Sequence, residues 1–144
     1  ADNTARILDV KYHLLLPSVS HVGTILDTNH WESILRSVEA NNSYRWVYGV
    51  QYKPLNIADY LVLNGRMPRS LRYCYGRVMS SLNLLVKEHG IAHACHGTAA
   101  QTLTMLSDST IERVFKNGLH EFLTGFILRN QRLGLEIAQA YNFD

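Results

Sequence analysis

Apolar residues recur every three to four positions along nearly the whole chain, the period of a helix that turns one face to a core. Ile7, Leu8, Leu14 and Leu15 mark a first helix over residues 1–16, which Pro17 stops. Residues 17–28 read as a loop containing Ser18, Ser20 and Gly23, with Asp27 or Thr28 placed to cap a second helix. That helix carries the stripe Trp31, Ile34, Leu35 and Val38, and Asn41-Asn42 breaks it. A short helix over 43–48 ends at Gly49, and 49–55 reads as loop. Asn56 caps another short helix through Leu63, closed by Asn64-Gly65, because glycine tolerates the left-handed conformation at a helix end. Pro68 suits a first helical position, and from it a helix runs through Leu71, Val78, Leu82 and Leu85 to His89, with Gly90 as its stop. A further helix covers 92–106. Ser109-Thr110-Ile111-Glu112 has the form of a capping box that opens a helix through Lys116. Asn117-Gly118 is a break or a kink, and 119–141 completes the chain as a long helix with Phe122, Phe126, Leu133 and Ile137 on its buried side.

This pattern predicts an all-α fold: an antiparallel helical bundle of six or seven helices, the longer ones joined by short loops. No repeat, low-complexity tract or Pro/Gly/Ser linker divides it, so residues 1–144 read as a single helical domain. At 144 residues that domain can bury a core without staples. Charged residues make up only 18%, which leaves less polar surface to cover the outside. Some apolar surface is therefore expected to be covered by another chain or chain segment. The net charge of +2 gives no general case for nucleic acid. No apolar run is long enough to cross a bilayer, so no membrane partner is expected. Cys74 and Cys95 form no C-x-x-C pair and read as reduced thiols of a cytoplasmic protein. The chain enters its helical pattern at Ala1 with no methionine or leader, as a piece of something longer would.

Three groups of residues could carry chemistry. Asp2, Arg6, Asp9 and His13 are spaced four, three and four apart and fall on one narrow stripe of the first helix. The simpler reading is a solvated face held by ion pairs within the helix. The sharper one is a polar seam facing another helix, with His13 and the carboxylates as ligands or proton-transfer groups. Ile7, Leu8, Val10, Leu14 and Leu15 cover much of the remaining circumference, which favours an interior helix. A second group is Arg66, Arg69, Arg72 and Arg77 around Met67-Pro68-Arg69-Ser70, interleaved with Tyr73 and Tyr75. A helix start beside arginines attracts phosphate or carboxylate, but pairing with neighbouring carboxylates is the simpler outcome. Base stacking on the tyrosines is weak as a signal in so short a patch. The third group is His120-Glu121. It is no zinc motif, since H-E-x-x-H would need a histidine where Thr124 stands. His89, His93 and His96 are tempting ligands, but Ala92-His93-Ala94-Cys95-His96 has no carboxylate partner. No Gly-rich phosphate loop, nucleophile elbow or paired Glu-x-x-His motif occurs, and no metal or cofactor is expected.

Residues 1–17, ADNTARILDVKYHLLLP, resemble the Alpha-E family of bacterial all-helical proteins. Val22-Gly23, Leu26-Asp27 and Trp31 look like that family's loop into its next helix. Leu61-Val62-Leu63 followed by Met67-Pro68-Arg69-Ser70-Leu71-Arg72-Tyr73-Cys74 is similar to its second signature, and Gly118-Leu119-His120-Glu121-Phe122-Leu123 to its third. The resemblance is to the C-terminal half of members about twice as long, in which an arginine and an acidic residue often stand just before the Asn-Thr stretch. Asp2 supplies the acid here. Residues 91–106 depart most from the pattern. The resemblance implies a helical accessory or scaffold protein associated with ATP-grasp-type amide ligases and transglutaminase-like peptidases in peptide synthesis or modification. It also implies that a missing N-terminal half or a homo-oligomeric copy completes the bundle. Asp2, Asn3, Arg6, Asp9, His13, Arg69, Arg72, His120 and Glu121 match its motif positions and are candidates for a shared polar site or for structural pairing between helices. The alternatives are an enzyme using a polar inter-helix site and nucleic-acid binding through the arginines.

Overall fold

The computed structural model describes the backbone of residues 1–15 and 25–142, and the side chains of residues 1–10 and 29–142. The side chains of His13, Leu14 and Leu15, the stop at Pro17 and the side-chain capping roles of Asp27 and Thr28 lie outside what is described. Among the described residues there are eight helices and no strand: α1 (Asp2–Leu15), α2 (Ile25–Ser37), α3 (Asn41–Tyr48), α4 (Pro54–Val62), α5 (Leu71–His89), α6 (Ala94–Asp108), α7 (Ile111–Asn117) and α8 (Leu119–Tyr141). The all-α expectation holds, with eight helices rather than six or seven.

Helix α8 is the axis. It packs against α1, α6 and α7, while α5 and α6 make the most extensive pairing of the molecule. Asp2 meets Asn130 and Asp9 meets His120, so α1 runs antiparallel to α8. Gly90, in the left-handed conformation at φ +73°, turns the chain tightly from α5 into α6. The core joins Leu8 of α1, Ile34 and Leu35 of α2, Ile57 and Leu61 of α4, Leu71 of α5, Leu106 of α6, and Leu119, Leu123 and Phe126 of α8.

Several boundaries differ from the sequence reading, each for a local reason. Asn41-Asn42 does not break the chain but opens α3, because Asn41 is buried and accepts a hydrogen bond from the Tyr52 hydroxyl at 2.8 Å. Pro54, not Asn56, starts α4, where its missing amide costs nothing. Pro68 lies in the turn before α5, whose cap is the buried Ser70: its Oγ accepts from the Tyr73 amide at 3.0 Å. Thr110 rather than Ser109 caps α7, since the Ser109 hydroxyl donates back to the Met105 carbonyl at 2.6 Å. Helix α6 starts at Ala94 after His93 and reaches Asp108. Gly118, at φ +106°, makes a true break between α7 and α8.

One corner is built almost wholly of tyrosines. The buried Tyr44 ring stacks on Tyr48 at 4.9 Å and Tyr52 at 5.7 Å, and Tyr60 meets Tyr44 edge-on at 5.9 Å. Their hydroxyls are tied down: Tyr44 donates to the Gln51 carbonyl at 3.1 Å and Tyr48 to Asp59 at 3.2 Å. Burial beside the Asp59 carboxylate pushes the Tyr48 phenol up to about 12. This cluster clamps α3 and the 49–53 segment onto α4.

Candidate functional site

The polar stripe of α1 faces α8, and its members part company there. Asp2 receives the Arg6 guanidinium at 2.7 Å in an i,i+4 pair at the solvent edge. Its other oxygen accepts from the Asn130 amide at 3.5 Å, and Asn130 in turn accepts from the Tyr75 hydroxyl at 2.9 Å. A polar chain thus runs from α1 through α8 to α5. The Tyr75 ring is buried edge-on against Phe126, and that burial pushes its phenol up to about 12. Two turns further along α1, Asp9 turns to His120 instead: its Oδ1 lies 2.7 Å from the imidazole Nδ1. A carboxylate can only accept, so Nδ1 carries a proton. Hydrogen bonding to Asp9 raises the His120 pKa above its ordinary value, and the nearby Glu121 charge adds to this. The imidazole keeps 43% of its surface exposed while Asp9 keeps 17%.

The other candidates lie elsewhere. Asn3 is exposed. Glu121 reaches towards Gly118 and a concavity at the α7–α8 break lined also by Arg113 and Phe122. The Arg69 backbone carbonyl accepts from buried Thr4 on α1 at 2.9 Å, but its guanidinium reaches out to Glu39 at 2.7 Å. Arg72 extends over Gly65 towards the Leu63 carbonyl. Val10, counted on the apolar face of α1, is exposed. The structure therefore brings Asp2, Arg6, Asp9 and His120 onto the α1–α8 seam and sends Glu121, Arg69 and Arg72 to other surfaces.

His96 is engaged structurally. Its Nδ1 accepts from the His93 amide at 2.9 Å and its Nε2 donates to the Leu82 carbonyl at 3.0 Å, pinning the start of α6 to α5. Among the described residues no three His, Cys, Asp or Glu side chains gather closely enough to hold a metal ion. Cys74 and Cys95 are both free, and burial pushes the Cys95 thiol up, away from the reactive thiolate.

Asn130 and Thr4 were missed from the sequence, and Tyr75 was read only as a tyrosine among the arginines, not as a partner of Asn130. Asn130 interrupts the apolar series Leu119, Leu123, Phe126 and Leu133 at helical spacing, and a polar residue at a core position was the available signal. Trp46 was also missed. It stands 90% exposed on α3, beside the exposed Val47 and Val50.

The fold and its seam define an all-helical bundle protein tied together by polar contacts between distant helices. Residues 1–142 match the family model Alpha-E, described as a predicted alpha-helical domain with a conserved ER motif, and the chain belongs to this family. The comparisons with curated proteins and with solved structures found no match. No described helix is long and apolar enough to cross a membrane.

Proposed function

We propose that this Alpha-E domain is a helical accessory protein that docks on a partner protein through the α3 surface around Trp46. The observation that carries the reading is an indole 90% exposed on a helix whose other face is locked by stacked tyrosines. Large aromatic side chains on rigid backbone dominate protein–protein contact energies, and leaving one in water has no folding benefit. Asn42, Arg45, Trp46 and Val50 line an open concavity of about 500 Å³. Between Glu39 and Asp59 the chain holds Arg45 and Lys53 but no carboxylate. An apolar partner surface rimmed by acidic residues complements this face.

The family resemblance suggests the partner class: an ATP-grasp-type amide ligase, with a transglutaminase-like peptidase in the same bacterial, cytoplasmic system of peptide synthesis or modification. Leu128 and Leu135, exposed on one face of α8, would be covered in the longer helical protein of which this domain is proposed to be the C-terminal part. Co-expression with such a ligase tests the reading. The wild-type domain should co-purify and the Trp46→Ala variant, with an unchanged circular dichroism spectrum, should not. Failure of the wild type to associate at low and moderate salt sinks it.

One observation favours a second reading, an enzyme. Asp9 orients a solvent-reachable His120, as a carboxylate orients a general base. In that case His120→Gln abolishes turnover of the ligase complex while leaving the association intact; unchanged turnover excludes it.

A further inference from the structure

The four arginines that cluster in the sequence separate in space. Arg69 is neutralised by Glu39, and the first turn of α5 is capped by Ser70 rather than open to a ligand. Arg66, Arg72 and Arg77 are different. Arg66 and Arg72 line a concavity of about 660 Å³ between the α4–α5 turn and the start of α7. Arg72 and Arg77 line a second of about 410 Å³ between α5 and α6, with Tyr73 and Ser80. Gly65 and Arg72 line both, so the two concavities adjoin at Arg72, with Arg66 lining one side and Arg77 the other. Both volumes fall within the ~300–1,000 Å³ usual for small-molecule sites.

At its α7 end the groove changes sign, because Asp59 and Glu112 line it there. The charges are largely uncommitted. The side chains of Arg66, Arg77 and Glu112 have no ion-pair partner among the described residues, and Arg72 has only the Leu63 carbonyl at 3.5 Å. Arg72 packs over the turn at Gly65, its Nε 3.7 Å from where a Cβ on that glycine would stand.

We infer that this groove binds a short acidic peptide, its amino terminus at Glu112 and Asp59 and its carboxylates along Arg66, Arg72 and Arg77. Guanidinium groups take carboxylates in two-pronged hydrogen bonds, and three in a row match a ligand carrying several. The acidic end selects for a ligand with a cation there. A polyphosphate or a nucleic-acid strand would press like charges against Glu112 and Asp59. The inference is independent of the Trp46 surface, whose lining residues are different.

The test is calorimetric titration of the isolated domain with triglutamate, N-acetyl-triglutamate, trialanine, tripolyphosphate and a short single-stranded oligonucleotide. Triglutamate should bind with a Kd below about 1 mM, and Arg72→Ala should weaken it at least about tenfold. Arg77→Ala should weaken it severalfold, and Lys87→Ala, on the far end of α5, should not. N-acetylation should weaken binding to the wild type, and Glu112→Gln should erase that difference. Circular dichroism confirms that each variant is folded. Absence of triglutamate binding at about 10 mM overturns the inference. So does binding indifferent to Arg72→Ala and Arg77→Ala, or tripolyphosphate or oligonucleotide binding as tightly as the peptide.

Discussion

Asp9 and His120, 111 positions apart in sequence, meet at 2.7 Å where α1 crosses the first turn of α8. The contact fixes the register of the two antiparallel helices at one end, as the Asp2–Asn130 contact does at the other. It also makes the imidazole a better base in the folded state than in the unfolded chain.

That difference sets a pH dependence. The folded His120 has the raised pKa, so its contribution is complete below the ordinary histidine value of about 6.5. It is lost as pH rises through the higher folded value. The thermal midpoint of the wild type should therefore fall between about pH 6 and pH 8 more steeply than that of Asp9→Asn. Parallel profiles for the two proteins would show that the pair has no such linkage. Asp59, also raised by burial, is present in both proteins, so its contribution drops out of the comparison.

The Tyr75–Asn130 hydrogen bond predicts non-additivity. Asn130→Leu leaves a buried phenol without its partner and should cost about 1–3 kcal/mol in urea unfolding. Tyr75→Phe combined with Asn130→Leu should cost less than the two single changes summed, because no polar atom is then stranded. Simple additivity would mean the bond contributes nothing.

Glycines should behave oppositely at two sites. Gly118 sits at φ +106°, where an added Cβ would also collide with the Glu121 carboxylate. Gly118→Ala should lose about 1–3 kcal/mol. Gly134, inside α8 with open space at its Cβ position, should gain about 0.5–1 kcal/mol on change to alanine. Chemical denaturation of both variants gives the signs directly.

Trp46 and Tyr44 occupy opposite faces of one short helix. Tyr44→Ala should cost about 3–5 kcal/mol, because it hollows the tyrosine cluster. Trp46→Ala should change stability by less than about 0.5 kcal/mol. A large loss for Trp46→Ala would mean that the indole packs on the domain itself.

The long helices were legible because their information is local. The stripe Leu71, Leu82 and Leu85 followed by Gly90 marks α5 unaided, and Gly118 marks the start of α8 through its backbone freedom. Boundaries failed where a side chain chose a partner outside its own turn. Ser109 bonds backward to Met105 and leaves the cap to Thr110, while Asn41 is held in α3 by Tyr52. Spacing put Asp2, Arg6 and Asp9 on one stripe, but it could not show that Asp9 would pair with His120 rather than along its own helix.

An all-α bundle and the identity of its longest helices followed from the chain alone, since a helix needs only its own hydrogen bonds and an apolar stripe. The partners of polar side chains were decided by tertiary packing. Arg69 and Arg72 are three residues apart, yet one pairs with Glu39 on the surface and the other packs over the turn at Gly65 towards the Leu63 carbonyl. Hydrogen bonds and charges depend on distances of a few ångströms between helices, and those distances exist only after the core has set how the helices lie.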